Sequence, residues 1–281
     1  MTNQKKPEEN KSSHPCHFLV GMDIDYTLKH PEGEIPDNNK AAIRQAVESG
    51  FAVALISGRS MCNTLPYVQD VGVETACAAD SGAVIFLPEG PVVLKSLVFN
   101  RQMCREALDA SLKYPVDVYL HEPDKILHNP STSTGIFHKL YGASCRYEEI
   151  PGLAYNYAGE PNKISFVGSD EVLKSMQKEM QERFPGITCY LTFAESLECI
   201  PPGASKGEAL HWIADYMGLD KNRTAALGDS ENDIEMFEAA GVGIAVGNAM
   251  ERVKDLANVV APDYDKDGAA WALRYLIEHF A

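Results

Sequence analysis

The 281-residue sequence has seven cysteines, Cys16, Cys62, Cys77, Cys104, Cys145, Cys189 and Cys199, and no C-x-x-C pair among them. That scatter offers neither a zinc site nor a thioredoxin-like dithiol, and the thiols are expected to be reduced and buried. No apolar run approaches the roughly 18–20 residues that a membrane span requires. Residues 1–17 carry Lys5, Lys6, Glu8 and Glu9 without an apolar stretch, so no signal peptide is expected, and a cytoplasmic location is. Basic side chains are in deficit, 25 against 40 acidic ones, for a formal net charge of −15. Such a field repels nucleic acid and anionic membranes, and neither is an expected partner. It repels phosphorylated ligands as well, so any phosphate site must be made locally positive by a metal, by lysine or arginine, or by backbone N–H groups. No internal repeat or low-complexity tract is evident.

What remains is the composition of a globular protein, 45% hydrophobic and 23% charged, long enough for one large domain or two modest ones. Short apolar runs bounded by turn residues read as buried strands at 18–22, 51–56, 76–79, 83–87, 224–227, 242–246 and 259–261. Helical patterns lie between and after them. The first spans 37–49 with Asp37 as its N-cap, and the others span 100–112, 170–184, 205–217, 231–240, 250–257 and 268–280. In the third, Val172, Met176, Met180 and Phe184 form a core-facing stripe. Strands alternating with helices predict an α/β fold with a Rossmann-like parallel sheet covered on both faces. The stretch 95–193 differs in texture, with many tyrosines, many prolines and loops around 121–135 and 150–162, and reads as an inserted second α/β domain. The expected division is a disordered tail over 1–16, a core of 17–94 and 194–281, and the insert of 95–193.

Four groups of residues sit where a parallel sheet binds ligands, at strand carboxyl ends and helix starts. Asp23-Ile24-Asp25-Tyr26-Thr27-Leu28 follows the first strand. Its two carboxylates repel each other and are costly to desolvate without a cation or protons between them. The hexapeptide alone reads equally as a solvated turn after a strand or as a functional site. Ser57-Gly58-Arg59 follows the second strand and joins a hydroxyl, a flexible glycine and backbone N–H groups, although serine is also a common N-cap. Lys206 falls in the first turn of a helix capped by Ser205, with Glu208 placed for a capping box. The helix dipole disfavours a cation there by a few tenths of a kcal/mol, roughly, unless an anion is held beside it. An exposed lysine tolerated at no gain is the other reading. In Gly228-Asp229-Ser230-Glu231-Asn232-Asp233 the two aspartates are one turn apart and can face one point, an oxygen-rich arrangement suited to Mg²⁺.

Taken together, these motifs resemble those of the haloacid dehalogenase superfamily: a D-x-D-x-T strand end, a serine strand end, a helix-borne lysine and a G-D-x-x-x-D turn. The closer likeness is to the Cof-type sugar-phosphate phosphatases. It rests on Ile200-Pro-Pro-Gly-Ala-Ser-Lys-Gly207, on Gly228-Asp-Ser-Glu-Asn-Asp-Ile-Glu-Met236, and on Val246-Gly-Asn-Ala249 with Val253-Lys-Asp-Leu-Ala257. It covers 17–87 and 194–281, while over 95–193 it is one of size and position only. The insert falls where that family carries a large type II α/β cap. Tyr26 stands where the family usually has glycine, which bears on the pocket mouth, and Ser81-Gly82 stands where it often has Asn-Gly.

The resemblance implies a phosphoric monoester hydrolase acting on a small-molecule phosphate ester. Asp23 would be the nucleophile, and Asp25 the general acid and base. Mg²⁺ would be held by Asp23, the Asp25 carbonyl and Asp229, with Asp233 in support. Ile24, Ser57, Gly58, Lys206 and Asn232 would bind the phosphoryl oxygens. Arg59 is either a helper there or a surface salt-bridge partner, and Thr27 fixes the turn. The cap would exclude water and read the leaving group, with Tyr119, His121, His138, Lys139, Asn162 and Lys163 as candidates, none of them assigned as a site. Rival readings are a glycosyltransferase, which also uses an Asp-x-Asp pair, a phosphomutase, and a catalytically silent phosphate-binding protein.

Overall fold

The structure, a computed structural model, describes residues 16–130, 144–192 and 195–281. The expected tail, Cys16 apart, and the cap candidates His138 and Lys139 lie outside those residues. The chain opens with β1 (Phe18–Met22) and β2 (Phe51–Leu55), then β3 (Cys77–Ala79), β4 (Val84–Leu87) and β5 (Val92–Ser96). The insert carries β6 (Asp117–Glu122), β7 (Lys125–His128), β8 (Arg146–Glu149), β9 (Lys163–Val167), β10 (Thr188–Thr192) and β11 (Ser196–Ile200). The chain then returns with β12 (Thr224–Gly228), β13 (Val242–Ala245) and β14 (Val259–Val260).

The core is a parallel five-stranded sheet in the order β14-β13-β12-β1-β2. Every residue of β1, β2 and β12 is buried. That is why these strands read as unbroken apolar runs rather than as alternating ones. A side chain added at Gly21 would run into Leu210 and Met236, so one face is closed by the helices Lys206–Met217 and Ile234–Ala239. The helices Asp37–Glu48 and Gly268–Phe280 pack together as a second pair. An antiparallel ladder, β3-β4-β5, continues from the end of β2 through a bridge between Ile56 and Ala78. The cap is a separate six-stranded sheet, β10-β11-β9-β6-β7-β8, antiparallel except for β7 with β8. Its apolar face holds Leu108, Leu173, Met176, Met180 and Phe184 from two helices, so the methionine stripe is core packing as expected, with Leu173 buried and Val172 only half-buried. No helix among the described residues is long and apolar enough to cross a membrane.

Several boundaries differ from expectation. β11 pairs with β9 and β10, so the cap sheet runs to Ile200, and the return to the core comes about six residues after 194. β5 pairs with β4, which carries the core to Ser96. The segment expected as a loop at 121–135 contains the β6–β7 hairpin, and that at 150–162 contains a short helix, Leu153–Asn156. Pro36, not Asp37, is the N-cap of the first helix, and Asp37 sits in its first turn, where a carboxylate favours the helix dipole. The expected 231–240 helix is a 3₁₀ turn, Glu231–Asp233, followed by the helix Ile234–Ala239. The cysteines are a correction: Cys62 and Cys145 form a disulfide between the helix Met61–Val71 and the cap, and the other described cysteines are free. Eighty-three residues separate the pair, so only the tertiary fold brings their Cα atoms to 5.1 Å.

Candidate active site

Strand order places the site. Because β1 lies between β12 and β2, the residues that follow these three strands come out side by side at one sheet edge. The Asp23 N–H donates to Leu227 O at 2.9 Å, and the Ile56 N–H donates to Met22 O at 2.9 Å. Asp23, Ser57 and Asp229 therefore leave the sheet together.

The convergence rests on one lysine. Lys206, only 1% exposed, donates from Nζ to Asp23 Oδ1 and to Asp233 Oδ1, each at 2.6 Å. Ser205 caps this helix by accepting the Glu208 N–H at 3.0 Å, which fixes Lys206 in its first turn. The exposed-lysine reading is thereby excluded. Carboxylate oxygens of Asp23, Asp229 and Asp233 lie within 4.8 Å of one another, all three residues buried. Asp233 Oδ2 accepts the N–H groups of Asp229 and Ser230 at 3.0 Å each. Both Asp233 oxygens are thus engaged, which suits a supporting role more than direct ligation. Asp229 Oδ1 accepts the Thr27 hydroxyl at 2.8 Å, so Thr27 fixes the turn against the opposite carboxylate.

Burial raises Asp23 to about 7 against the pull of Lys206, and burial with the neighbouring Asp233 raises Asp229 to about 8. For Lys206, burial alone would lower the ammonium, but Asp23 and Asp233 outweigh it and hold the group above its ordinary value. One buried cation thus faces three carboxyls, an excess of negative charge that protons or a hard divalent cation would relieve. The all-oxygen donor set fits Mg²⁺.

Asp25 points another way. Arg59 donates to it from Nε and Nη2, both at 2.6 Å, and Lys29 Nζ is 3.7 Å away. Arg59 is buried and lies with Lys29 over the Tyr67 ring. It is therefore a buried clamp on Asp25 and not a surface ion-pair partner. Ser57 is buried, and its Oγ accepts the Arg59 N–H at 3.1 Å. Ile24 is buried next to Asp23. Asn232 is tied to Ser230, whose hydroxyl donates to its Oδ1 at 2.9 Å. A Cβ built on Gly58 would lie 3.4 Å from Asn232 Nδ2 and 3.6 Å from Glu198 Oε2, so three distant parts of the chain meet there.

A cleft of about 500 Å³ opens over this edge, lined from the core by Asp25, Tyr26, Gly58, Arg59 and Asn232, and from the cap by Tyr190, Leu191, Thr192, Glu195 and Glu198. These cap residues escaped sequence reasoning, and the described candidates there lie elsewhere. Tyr119, His121, Asn162 and Lys163 are all buried between sheets or under the hinge and do not line the cleft. Spacing in β10 alone carried no signal of which face meets the core.

The family model for haloacid dehalogenase-like hydrolases matches residues 20–273. The chain is 28% identical over 298 residues to the phosphatase YwpJ of Bacillus subtilis, covering 92% of this chain and 99% of that protein. It is 25% identical over 279 residues to the 5-amino-6-(5-phospho-D-ribitylamino)uracil phosphatase YitU of the same organism, covering 94% and 98%. Among solved structures, a subclass IIB sugar phosphatase superposes with a TM-score of 0.81 at 22% identity, over 92% of this chain and 98% of that one, a likeness of fold.

Proposed function

The chain belongs to the haloacid dehalogenase-like hydrolases, and from that premise we propose that it is a Mg²⁺-dependent phosphatase of small phosphomonoesters, sugar phosphates among them. The observation that carries the reading is the buried contact of Lys206 with Asp23 and Asp233, beside Asp229, close in the chain to Asp25, Ser230 and Asn232 that line a cleft shared with the cap. Lys206 engages Asp23 Oδ1 and leaves the other oxygen to attack phosphorus, which splits hydrolysis into formation and breakdown of an aspartyl-phosphate. Asp25, held by Arg59, protonates the departing ester oxygen and then takes a proton from the water that cleaves the intermediate. Ser57, the Gly58 and Ile24 N–H groups, Asn232 and Lys206 bind the phosphoryl oxygens. The Asp23 and Asp229 carboxylates and the Asp25 carbonyl, with Asp233 supporting, would hold a divalent cation, which would neutralise the charge shared by nucleophile and phosphate.

The cleft also bears on the leaving group. Its walls carry Glu195, Glu198, Glu231 and Asp170, the last three paired with Lys163, Arg252 and Lys174, while the lining Arg59 is engaged by Asp25, which leaves Glu195 as the uncompensated charge among the described residues. Carboxylates in the walls accept hydrogen bonds from hydroxyls, and the uncompensated one repels a second anion, which favours a neutral polyol ester over one bearing a carboxylate. The test is a Mg²⁺-supported phosphate-release screen over sugar phosphates and carboxylated esters, with Asp23→Asn alongside. Turnover of the polyol esters, lost by about a thousandfold or more in Asp23→Asn, is expected. Equal turnover in the variant would remove Asp23 as nucleophile, and rearranged ester without free phosphate would point to a mutase.

A further inference from the structure

Lys163 opens β9 in the cap, is 1% exposed, and does not line the cleft. A lysine so buried needs partners, and it finds them in the loop that follows β2, in the turn that follows β3 and on β11. Nζ donates to the Gly58 carbonyl at 2.6 Å, with Glu198 Oε1 at 3.2 Å and Asp80 Oδ1 at 3.6 Å as counter-charges. Asp80 is fully buried, and neither of its oxygens meets a hydrogen-bond donor among the described residues. It therefore depends on the charge of Lys163, since burial and the same lysine hold the His121 imidazole, 3.7 Å away, neutral.

The carbonyl that Lys163 grips belongs to the Gly58–Arg59 peptide. The N–H of that same peptide donates to Ser57 Oγ at 3.1 Å. A cation on the oxygen of a peptide strengthens the N–H at its other side. With a lone pair of Ser57 Oγ thus occupied, its hydroxyl hydrogen is left to donate outward. The Arg59 side chain, just beyond that peptide, clamps Asp25. The neighbouring residue, Asn162, donates to Ser96 Oγ and Leu97 O at 2.8 and 2.7 Å, on the strand that leads into the cap. The dipeptide 162–163 therefore holds the hinge with one side chain and the loop after β2 with the other.

We propose that Lys163 is a positioning residue of the phosphate site: from the cap hinge it fixes the Gly58–Arg59 peptide, and through it the aim of the Ser57 hydroxyl, so that a seated cap and an ordered phosphate loop are one event. The inference rests on the phosphatase reading for its chemistry, but its geometry stands apart from the nucleophile and the metal ligands. It differs from a role in reading substrate, since Lys163 does not face the leaving group.

The test compares Lys163→Met with the double variant Lys163→Met/Asp80→Asn, which also removes a buried acid that the lost cation would leave unpaired. Each is assayed for kcat and KM on two phosphate esters that differ only in the leaving group, and for binding of inorganic phosphate by calorimetry with Mg²⁺ present. In whichever variant melts cooperatively, phosphate affinity is expected to fall at least tenfold and kcat at least tenfold, while the ratio of kcat/KM between the two esters stays within twofold. A folded variant with phosphate affinity and kcat both within twofold of the parent overturns the proposal, as does a changed ester ratio with unchanged phosphate affinity. Should neither methionine variant melt cooperatively, Lys163→Gln, which removes the charge and shortens the side chain, is judged by the same thresholds in their place. If the parent hydrolyses neither ester, it is the phosphatase reading that fails, and the phosphate-binding arm still decides the role of Lys163.

Discussion

At Tyr26 the backbone takes φ 56°, the left-handed region that costs a residue with a Cβ roughly 1–2 kcal/mol. The turn after β1 demands this conformation, since the Tyr26 N–H donates to Lys29 O and Asn248 Nδ2 donates to Tyr26 O, both at 2.8 Å. That gives a physical reason for the glycine usual here. Tyrosine gains in exchange edge contacts with His30 and Tyr264, ring centroids 5.8 and 5.9 Å apart, at the mouth of the cleft. Tyr26→Gly and Tyr26→Ala both lose those rings, but only alanine keeps the strain. The glycine variant is expected to be the more stable by about 1 kcal/mol, a reversal of the ordinary ranking. Chemical denaturation of the two variants reads the difference, and an alanine variant as stable as the glycine one would show that the turn relaxes. Lys206 and Lys163 mark how far single residues are legible. Lys206 was visible because it is locally unfavourable, a cation at a helix N-terminus, and that misfit implied an anion. Lys163 sits in an ordinary strand, and its meaning comes only from the Gly58 loop 105 residues away.

The elements that carry the site were legible for a related reason. β1, β2 and β12 are buried on both faces, so their sequences are short apolar blocks ended by polar turns, and the catalytic groups begin where the apolar block stops. Elements with one face in a second environment were harder to read. β11 is as buried as a core strand although Ser196 and Glu198 interrupt its apolar pattern, and only its ladder with β9 and β10 assigns it to the cap. The Gly228–Asp233 turn shows how tightly an element can constrain its own sequence. A Cβ at Gly228 would come within 2.5 Å of Asp233 Cγ, because the Asp233 carboxylate folds back under the strand end to collect two N–H groups. Gly228→Ala must therefore push Asp233 away from Lys206 or strain the turn. A loss on the order of 1–3 kcal/mol is expected, the range of overpacking in a dense site. Urea unfolding checks it, and a loss below about 0.5 kcal/mol would mean that Asp233 has room that its contacts do not suggest.

For the molecule as a whole, an α/β unit between the second and third motifs was legible from the changed texture of 95–193, whereas the cap residues over the cleft and the Cys62–Cys145 bridge depend on docking that no local pattern encodes. The charge distribution is a property of this scale too, since three carboxyls and one lysine from separate segments share one buried volume. Its consequence is a coupling of stability, pH and metal. Burial raises Asp23 to about 7 and Asp229 to about 8, while the unfolded chain releases both protons near the ordinary carboxylate value of about 3.9. Between those limits the metal-free folded state binds more protons than the unfolded state. The contribution is fully present below about pH 4, falls above it by about 1.4 kcal/mol per pH unit for each proton held only by the folded state, and is gone above the folded values of about 7 and 8. A divalent cation takes the place of those protons, so its stabilisation must grow in the same direction. Thermal unfolding in EDTA is therefore expected to shift to lower temperature from pH 6 to pH 8, and the increment on adding Mg²⁺ is expected to be larger at pH 8 than at pH 6. An increment that is flat with pH, or larger at pH 6, would mean that the ion does not bind between Asp23 and Asp229.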